Sequence, residues 1–450
     1  MSQQSKQWGA IIIMIALFAM IAFVTNLCSP MAVIVKNQFG ASNLESQIGN
    51  YGNFIAYLVM GIPSGMLIKR FGYKKTALLA LLVGIVGIFV QWMSGWESMA
   101  NSAFAVYLVG AFIGGFCMCM LNTVVNPMLN ILGGGGNKGN QLIQTGGVFN
   151  SAAAVAVYIL MGAMIGDAAK ATVSDAAPAL FIAGAIFIVA FFVILFTHIE
   201  EPAQPVVKKN AKKDPHSAFS FRHFRLGILG IFLYMGIEVG TPTYILQYLT
   251  AAPDAATPGM GMDAGIVGLI VAVYWLMMLV GRFVGSSIGG KVSSRSMITV
   301  ASILALVLLL FGMFAPTTSM VNVPGIDWGN LSVIWAEVPV GIFAFILIGL
   351  CTSVMWGGIF NMAVEGLGKY TAIASGAFMT MVFGCAVMVA IQAWVADLTG
   401  SYMASYWVVV FCAAYLLFYA LIGSKNVNTD IPTEETLEEK EEATQILDSI

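Results

Sequence analysis

The sequence predicts an all-α polytopic membrane protein of twelve transmembrane helices in two pseudo-symmetric six-helix bundles. Three observations predict it: the composition, the length of the apolar runs and the distribution of basic residues. Of 450 residues, 59% are hydrophobic and 9% charged, where a soluble domain carries about 25% charged residues. Twelve apolar runs can be counted, each near the roughly 20 residues a helix needs to cross a bilayer. Lipid offers backbone groups no partners, so spanning segments are helices or closed barrels, and long unbroken runs lack the alternation of barrel strands.

In order, the first six runs centre on 9–29, 48–68, 76–94, 104–131, 142–165 and 179–197. The first lacks a small-residue cleavage site and reads as a retained helix. The remaining six centre on 226–249, 265–286, 297–314, 338–361, 372–396 and 404–423. Lysine and arginine near span ends stay cytoplasmic. With the N-terminus inside, 18 of the 20 basic residues fall on one set of loops, leaving Lys36 and Lys170 outside. An even number of spans with both termini cytoplasmic fits that split.

The longest charged connection lies between spans six and seven. It divides the chain into a first bundle over 1–199, a cytoplasmic linker over 200–225, a second bundle over 226–424 and an acidic cytoplasmic tail over 425–450. A weak echo supports the division: GMLIKRFGYKK after span two and GSSIGGKVSSR after span eight lie 220 residues apart. Paired halves of this kind are a transporter architecture, with the substrate site near midplane between them. The tail reads as solvated and disordered on composition.

Residue inventories exclude other chemistries. His198, His216 and His223 all lie in or beside the linker, so no histidine reaches midplane. The six cysteines fall within spans and form no CxxC, which favours packing over disulfide or metal. The run GGGGNKGN at 133–140 has glycine after its lysine and follows a helix, so it reads as a turn rather than a phosphate loop. No nucleophile, base or ligand cluster converges. The protein is therefore not expected to be an enzyme, and neither cofactor nor metal is expected. Expected partners are the lipid bilayer of the cell inner membrane and a small polar substrate, with no nucleic acid, and the chain is expected to act as a monomer.

One carboxylate stands apart. Of 22 acidic residues only Glu238 sits deep inside an apolar stretch, flanked by Gly236, Gly240 and Pro242. A charge in hydrocarbon costs at least a few kcal/mol, so intramembrane acids mark paths for ions, protons or polar substrates.

Several stretches resemble one family. GIPSGMLIKRFGYKK, from Gly61, is similar to the loop between helices two and three of the major facilitator superfamily, in the form of its fucose:proton symporter branch, which often has lysine where most members have aspartate, here Lys69. LNTVVNP from Leu121, YMGIEVG from Tyr234, WLMMLVGRFVGS from Trp275, AVEGLGKYTAIASG from Ala363 and QAWVAD from Gln392 also resemble that branch, in order along nearly the whole chain. The resemblance implies a sugar transporter working by alternating access, with proton coupling in its best-known members. It also implies a departure: the branch's helix-one aspartate and helix-four glutamate fall on Asn26 and Asn122, which do not titrate. Glu238 is then the one midplane carboxylate left for a proton.

The residues themselves suit a neutral sugar. Amides donate and accept as sugar hydroxyls require, and Asn26, Asn122, Asn126, Gln144, Asn150, Gln247, Asn361 and Gln392 all lie inside spans. Tyr244, Tyr274, Trp275 and Trp356 are candidate platforms for apolar ring faces. Each amide can instead be an interhelical hydrogen bond serving packing, and each aromatic a lipid-facing anchor. Arg282 is the second charge within a span. At 1.5 Å per residue, Glu238 lies roughly 20 Å from the cytoplasmic start of its helix and Arg282 about 6 Å from the cytoplasmic end of its own. Depth thus predicts no ion pair, and assigns Arg282 to snorkelling and to a cytoplasmic gate with Lys69 and Arg70. Glu365 and Lys369 occupy the matching turn between helices ten and eleven, where they are placed to pair. A sugar uniporter and a multidrug/proton antiporter of the same fold remain as alternatives.

Overall fold

The computed structural model describes residues 3–39, 43–165, 177–197, 199, 215–262, 264–327 and 332–433. The helices are α1 (Gln3–Phe39), α2 (Asn43–Met93), α3 (Ala103–Leu132), α4 (Gly136–Ile165), α5 (Ala177–Phe196), α6 (Arg222–Thr250), α7 (Ala264–Ile288), α8 (Ser294–Phe314), α9 (Val340–Val364), α10 (Thr371–Thr380), α11 (Gly384–Thr399) and α12 (Tyr402–Phe418). They correspond to the twelve expected spans once two details are taken into account. First, α2 holds spans two and three, which meet at Gly72, where φ is 81°. That left-handed conformation suits a residue without a Cβ. Second, α10 and α11 together form span eleven, interrupted by a 3-10 turn at Met381–Phe383.

Among the described residues, nine helices are long and apolar enough to cross a membrane; one of them, Phe54–Met93, contains two spans. With α4 and α5 the twelve are complete. Helices α1 to α5 pack on one another, as do α6 to α12, and the two groups meet mainly where α2 and α3 face α10, and α4 faces α7 and α9. Lys69, Arg70, Lys291 and Lys369 lie near helix ends on one side of this assembly, here termed the basic face.

Buried tyrosines tie the second group together, each donating its hydroxyl to a backbone carbonyl: Tyr234 to Thr352, Tyr244 to Val389 and Tyr406 to Thr241, at 3.2, 3.3 and 3.0 Å. The Tyr406 ring also stacks on Phe345 at 4.0 Å. In a bilayer the helices gain little from burial as such, so close packing and interhelical hydrogen bonds of this kind hold them together.

The helical reading omitted one element. Between α8 and α9 the chain forms an antiparallel hairpin of β1 (Met320–Asp327) and β2 (Ser332–Pro339), in register from Met320 opposite Pro339 to Asp327 opposite Ser332. Alternation explains it: Val323, Ala336 and Val338 are buried on one face, while Val333 and Trp335 project from the other, Trp335 with 67% of its surface exposed.

Candidate functional site

The site is built around a proline. Pro242 inside α6 has no N–H, so the carbonyl of Glu238, four residues earlier, loses its helical partner. The Tyr274 hydroxyl of α7 donates to that carbonyl at 3.1 Å, and is also 3.3 Å from the Thr352 hydroxyl of α9. Three helices therefore converge on Glu238.

The Glu238 carboxylate is not alone. Arg282 Nη2 lies 3.7 Å from Glu238 Oε1, with side-chain exposures of only 12% and 13%. This corrects the depth-based expectation of no pair. Counting rise from helix ends compared backbone depths and left out the length of the arginine side chain. Tyr274, about 12 Å further along α7 than Arg282, also reaches Glu238. Glu238 is thus level with the stretch between them, and the guanidinium extends inward instead of snorkelling out.

Arg282 also crosses between the helix groups. Its Nη1 lies 3.2 Å from the Gly147 carbonyl, 3.0 Å from Asn150 Oδ1 and 2.8 Å from Ser151 Oγ, all on α4. A Cβ on Gly147 would meet Arg282 Cδ at 3.3 Å, so the glycine leaves room for the side chain. Asn150 is itself oriented by donating to the Phe18 carbonyl of α1 at 2.8 Å.

From there to the basic face the two groups are joined by neutral polar contacts. Gln144 donates to the Val354 carbonyl at 3.1 Å, Gln141 to the Ser286 carbonyl at 3.1 Å, and the Thr145 and Ser286 hydroxyls meet at 2.6 Å. Asn130 donates to Asn361 at 2.6 Å, and Asn361 in turn to Ser294 at 2.8 Å. Glycines close the other seam. A Cβ on Gly65 would lie 2.6 Å from the Ala372 carbonyl, and one on Gly61 would overlap Thr380.

The charged gate expected from sequence takes a different form. Lys69 and Arg70 are exposed, and the Arg70 guanidinium lies over the Phe71 ring at 5.1 Å. Lys369 lies 5.4 Å above the Tyr370 ring. Glu365 contributes its backbone carbonyl, 3.0 Å from His223 Nε2. Of the five expected gate residues, Arg282 bridges the groups. The bridging residues Asn130, Gln141, Thr145 and Ser286 carried no sequence signal beyond being polar near helix ends.

The expected substrate residues divide into three sets. Gln144, Asn150, Glu238 and Asn361 lie at the junction between the groups, while Asn122 and Asn126 are bonded within the first group. Asn122 donates to the Tyr57 hydroxyl of α2 at 2.8 Å, and Asn126 donates to the Asn122 carbonyl at 2.8 Å. Trp275 packs edge-on against Tyr274, while Trp356 stacks on Phe360 and approaches Phe18 across the junction at 6.4 Å. A second set is occupied in packing: Tyr244 by its bond to Val389, and Gln392, with 1% exposure, by Ser405 at 3.4 Å and by Gly240, on which a Cβ would overlap its Oε1. Third, Asn26 donates to its own helix at the Ala22 carbonyl, and Gln247 is exposed near the far end of α6.

Comparison with known proteins agrees with this architecture. Residues 13–391 match the model of the Major Facilitator Superfamily. A glucose/galactose transporter of Brucella abortus is 28% identical over 431 residues, covering 94% of this chain and 96% of the relative. An L-fucose-proton symporter of Escherichia coli is 21% identical over 436 residues, covering 91% and 92%. The crystal structure of the transporter FucP in its outward conformation superposes with a TM-score of 0.75 at 20% identity, covering 92% of this chain and 99% of that one. With its family model matched over most of its length and its twelve spans in two packed groups, the chain belongs to the Major Facilitator Superfamily.

Proposed function

We propose that this protein imports a neutral sugar across the cell inner membrane by alternating access, and that Glu238 carries the proton if uptake is proton-linked. The basic face is then cytoplasmic, and residues 1–199 and 226–424 are the two halves that rock about the site. The observation that carries the reading is the Glu238–Arg282 pair, buried between the halves, with its guanidinium also on Asn150 and Ser151 of α4. Neutral amides suit hydroxyls, and they leave one charge pair to respond to a proton. The names of the relatives, a glucose/galactose transporter and an L-fucose-proton symporter, support the same substrate class.

The pair also supplies a coupling device. With Glu238 ionised, the guanidinium is balanced and bridges α6, α7 and α4, which favours a closed cytoplasmic side. When Glu238 takes a proton, Arg282 is left as an uncompensated buried charge, a state costing several kcal/mol. Separation of the halves on the cytoplasmic side hydrates it. Proton loading from outside thus favours opening inward. Uptake of a radiolabelled panel of hexoses, deoxyhexoses and amino sugars into proteoliposomes tests the substrate class. Saturable uptake of at least one sugar is expected, and failure of the whole panel would remove the sugar assignment.

A further inference from the structure

We propose that Tyr57 is a sugar-binding residue, whose hydroxyl hydrogen acts with the neighbouring Asn122 side-chain oxygen to recognise a single hydroxyl group of the substrate. The inference rests on the sugar-import reading and adds a specificity determinant to it. A tyrosine in an apolar helix reads as core from sequence, and Tyr57 is indeed 6% exposed. Its hydrogen-bond direction sets it apart.

Three side chains form a directed series. Asn126 donates from Nδ2 to the Asn122 backbone carbonyl at 2.8 Å, and the same nitrogen lies 3.4 Å from Asn122 Oδ1. That contact fixes the Asn122 amide, with its oxygen toward the Asn126 nitrogen and its own nitrogen toward Tyr57. Asn122 Nδ2 then donates to the Tyr57 oxygen at 2.8 Å. A phenol whose oxygen accepts still has its hydrogen to donate. Among the described residues the Tyr57 hydroxyl has no second hydrogen-bond partner. The series therefore ends in one free O–H donor, beside an Asn122 oxygen with acceptor capacity left. A sugar hydroxyl both donates and accepts, and matches the pair.

The position fits as well. Tyr57, Gly61 and Gly65 are four residues apart and share one face of α2. Gly61 and Gly65 form the tight seam against Thr380, Gly376 and Ala372. Tyr57 lies one turn, about 6 Å, beyond that seam and away from the basic face. There Tyr57 and Asn122 keep 6% and 9% of their surface open.

The test is binding of parent sugars and their monodeoxy analogues to purified protein, comparing the unaltered chain with Tyr57→Phe and Asn122→Ala. Loss of one hydrogen bond should weaken the parent sugar about tenfold in Tyr57→Phe. One particular monodeoxy analogue should bind the unaltered protein and Tyr57→Phe equally, and Asn122→Ala should spare the same analogue. Weakening of every sugar and every analogue by the same factor would reduce Tyr57 to packing, as would unchanged affinity in Tyr57→Phe. Absence of sugar binding by the unaltered protein would overturn the sugar reading itself, and this assignment with it.

Discussion

At the scale of single residues, the site depends on what Pro242 removes. By freeing the Glu238 carbonyl it creates an acceptor that Tyr274 fills, which fixes α7 against α6 and brings Arg282 within reach. Two predictions belong here. Tyr274→Phe should destabilise the protein by about 1 to 3 kcal/mol, because it leaves a buried carbonyl unpaired. The loss should shrink in a Pro242→Ala background, where the helix supplies its own donor. Thermal unfolding in detergent of the two single variants and the double variant measures it, and equal losses in both backgrounds would contradict it. Likewise Arg282→Gln leaves Glu238 buried without a countercharge, at a cost of roughly 3 to 5 kcal/mol, and adding Glu238→Gln should recover a substantial part. No recovery in the double variant would mean that Arg282 acts through α4 alone. Glu238 itself was legible in the sequence as a lone acid in an apolar run. Its partner was not, because depth counted along the helix backbones leaves out how far an arginine side chain reaches.

At the scale of elements, the closure of the basic face is made by α4 against α7 and α9 and by α2 against α10, through amides, hydroxyls and glycines. Neutral hydrogen bonds are not screened by salt as exposed charge pairs are, so the closed fraction should be indifferent to ionic strength. The Thr145 and Ser286 hydroxyls, 2.6 Å apart, offer a direct probe. Oxidation of a Thr145→Cys, Ser286→Cys variant should cross-link the halves and arrest transport, and reduction should restore it. Undiminished transport by the cross-linked protein would show that this contact need not open. The glycines were visible in the sequence, but not which helix each would meet. The hairpin between α8 and α9 escaped for a different reason: alternation over eight residues is a weak signal inside a chain dominated by long apolar runs. The break at Met381–Phe383 lies in sequence as apolar as the rest of span eleven and carried no proline to announce it.

At the scale of the whole molecule, the twelve spans, their grouping and the family were legible because they follow from composition, run length and several motifs in order. Orientation rests on the basic split alone. A cysteine introduced at Asp254, exposed on the connection from α6 to α7, should label from outside intact cells, and one at Lys291 only after permeabilisation. The reverse pattern would invert the topology. In the proposed mechanism proton coupling turns on Glu238, and the most direct measurement compares the unaltered protein with Glu238→Gln in proteoliposomes, reading both sugar exchange and uphill accumulation under an imposed pH gradient. The variant is expected to keep exchange and lose accumulation; accumulation by Glu238→Gln at the level of the unaltered protein would contradict proton coupling through this residue.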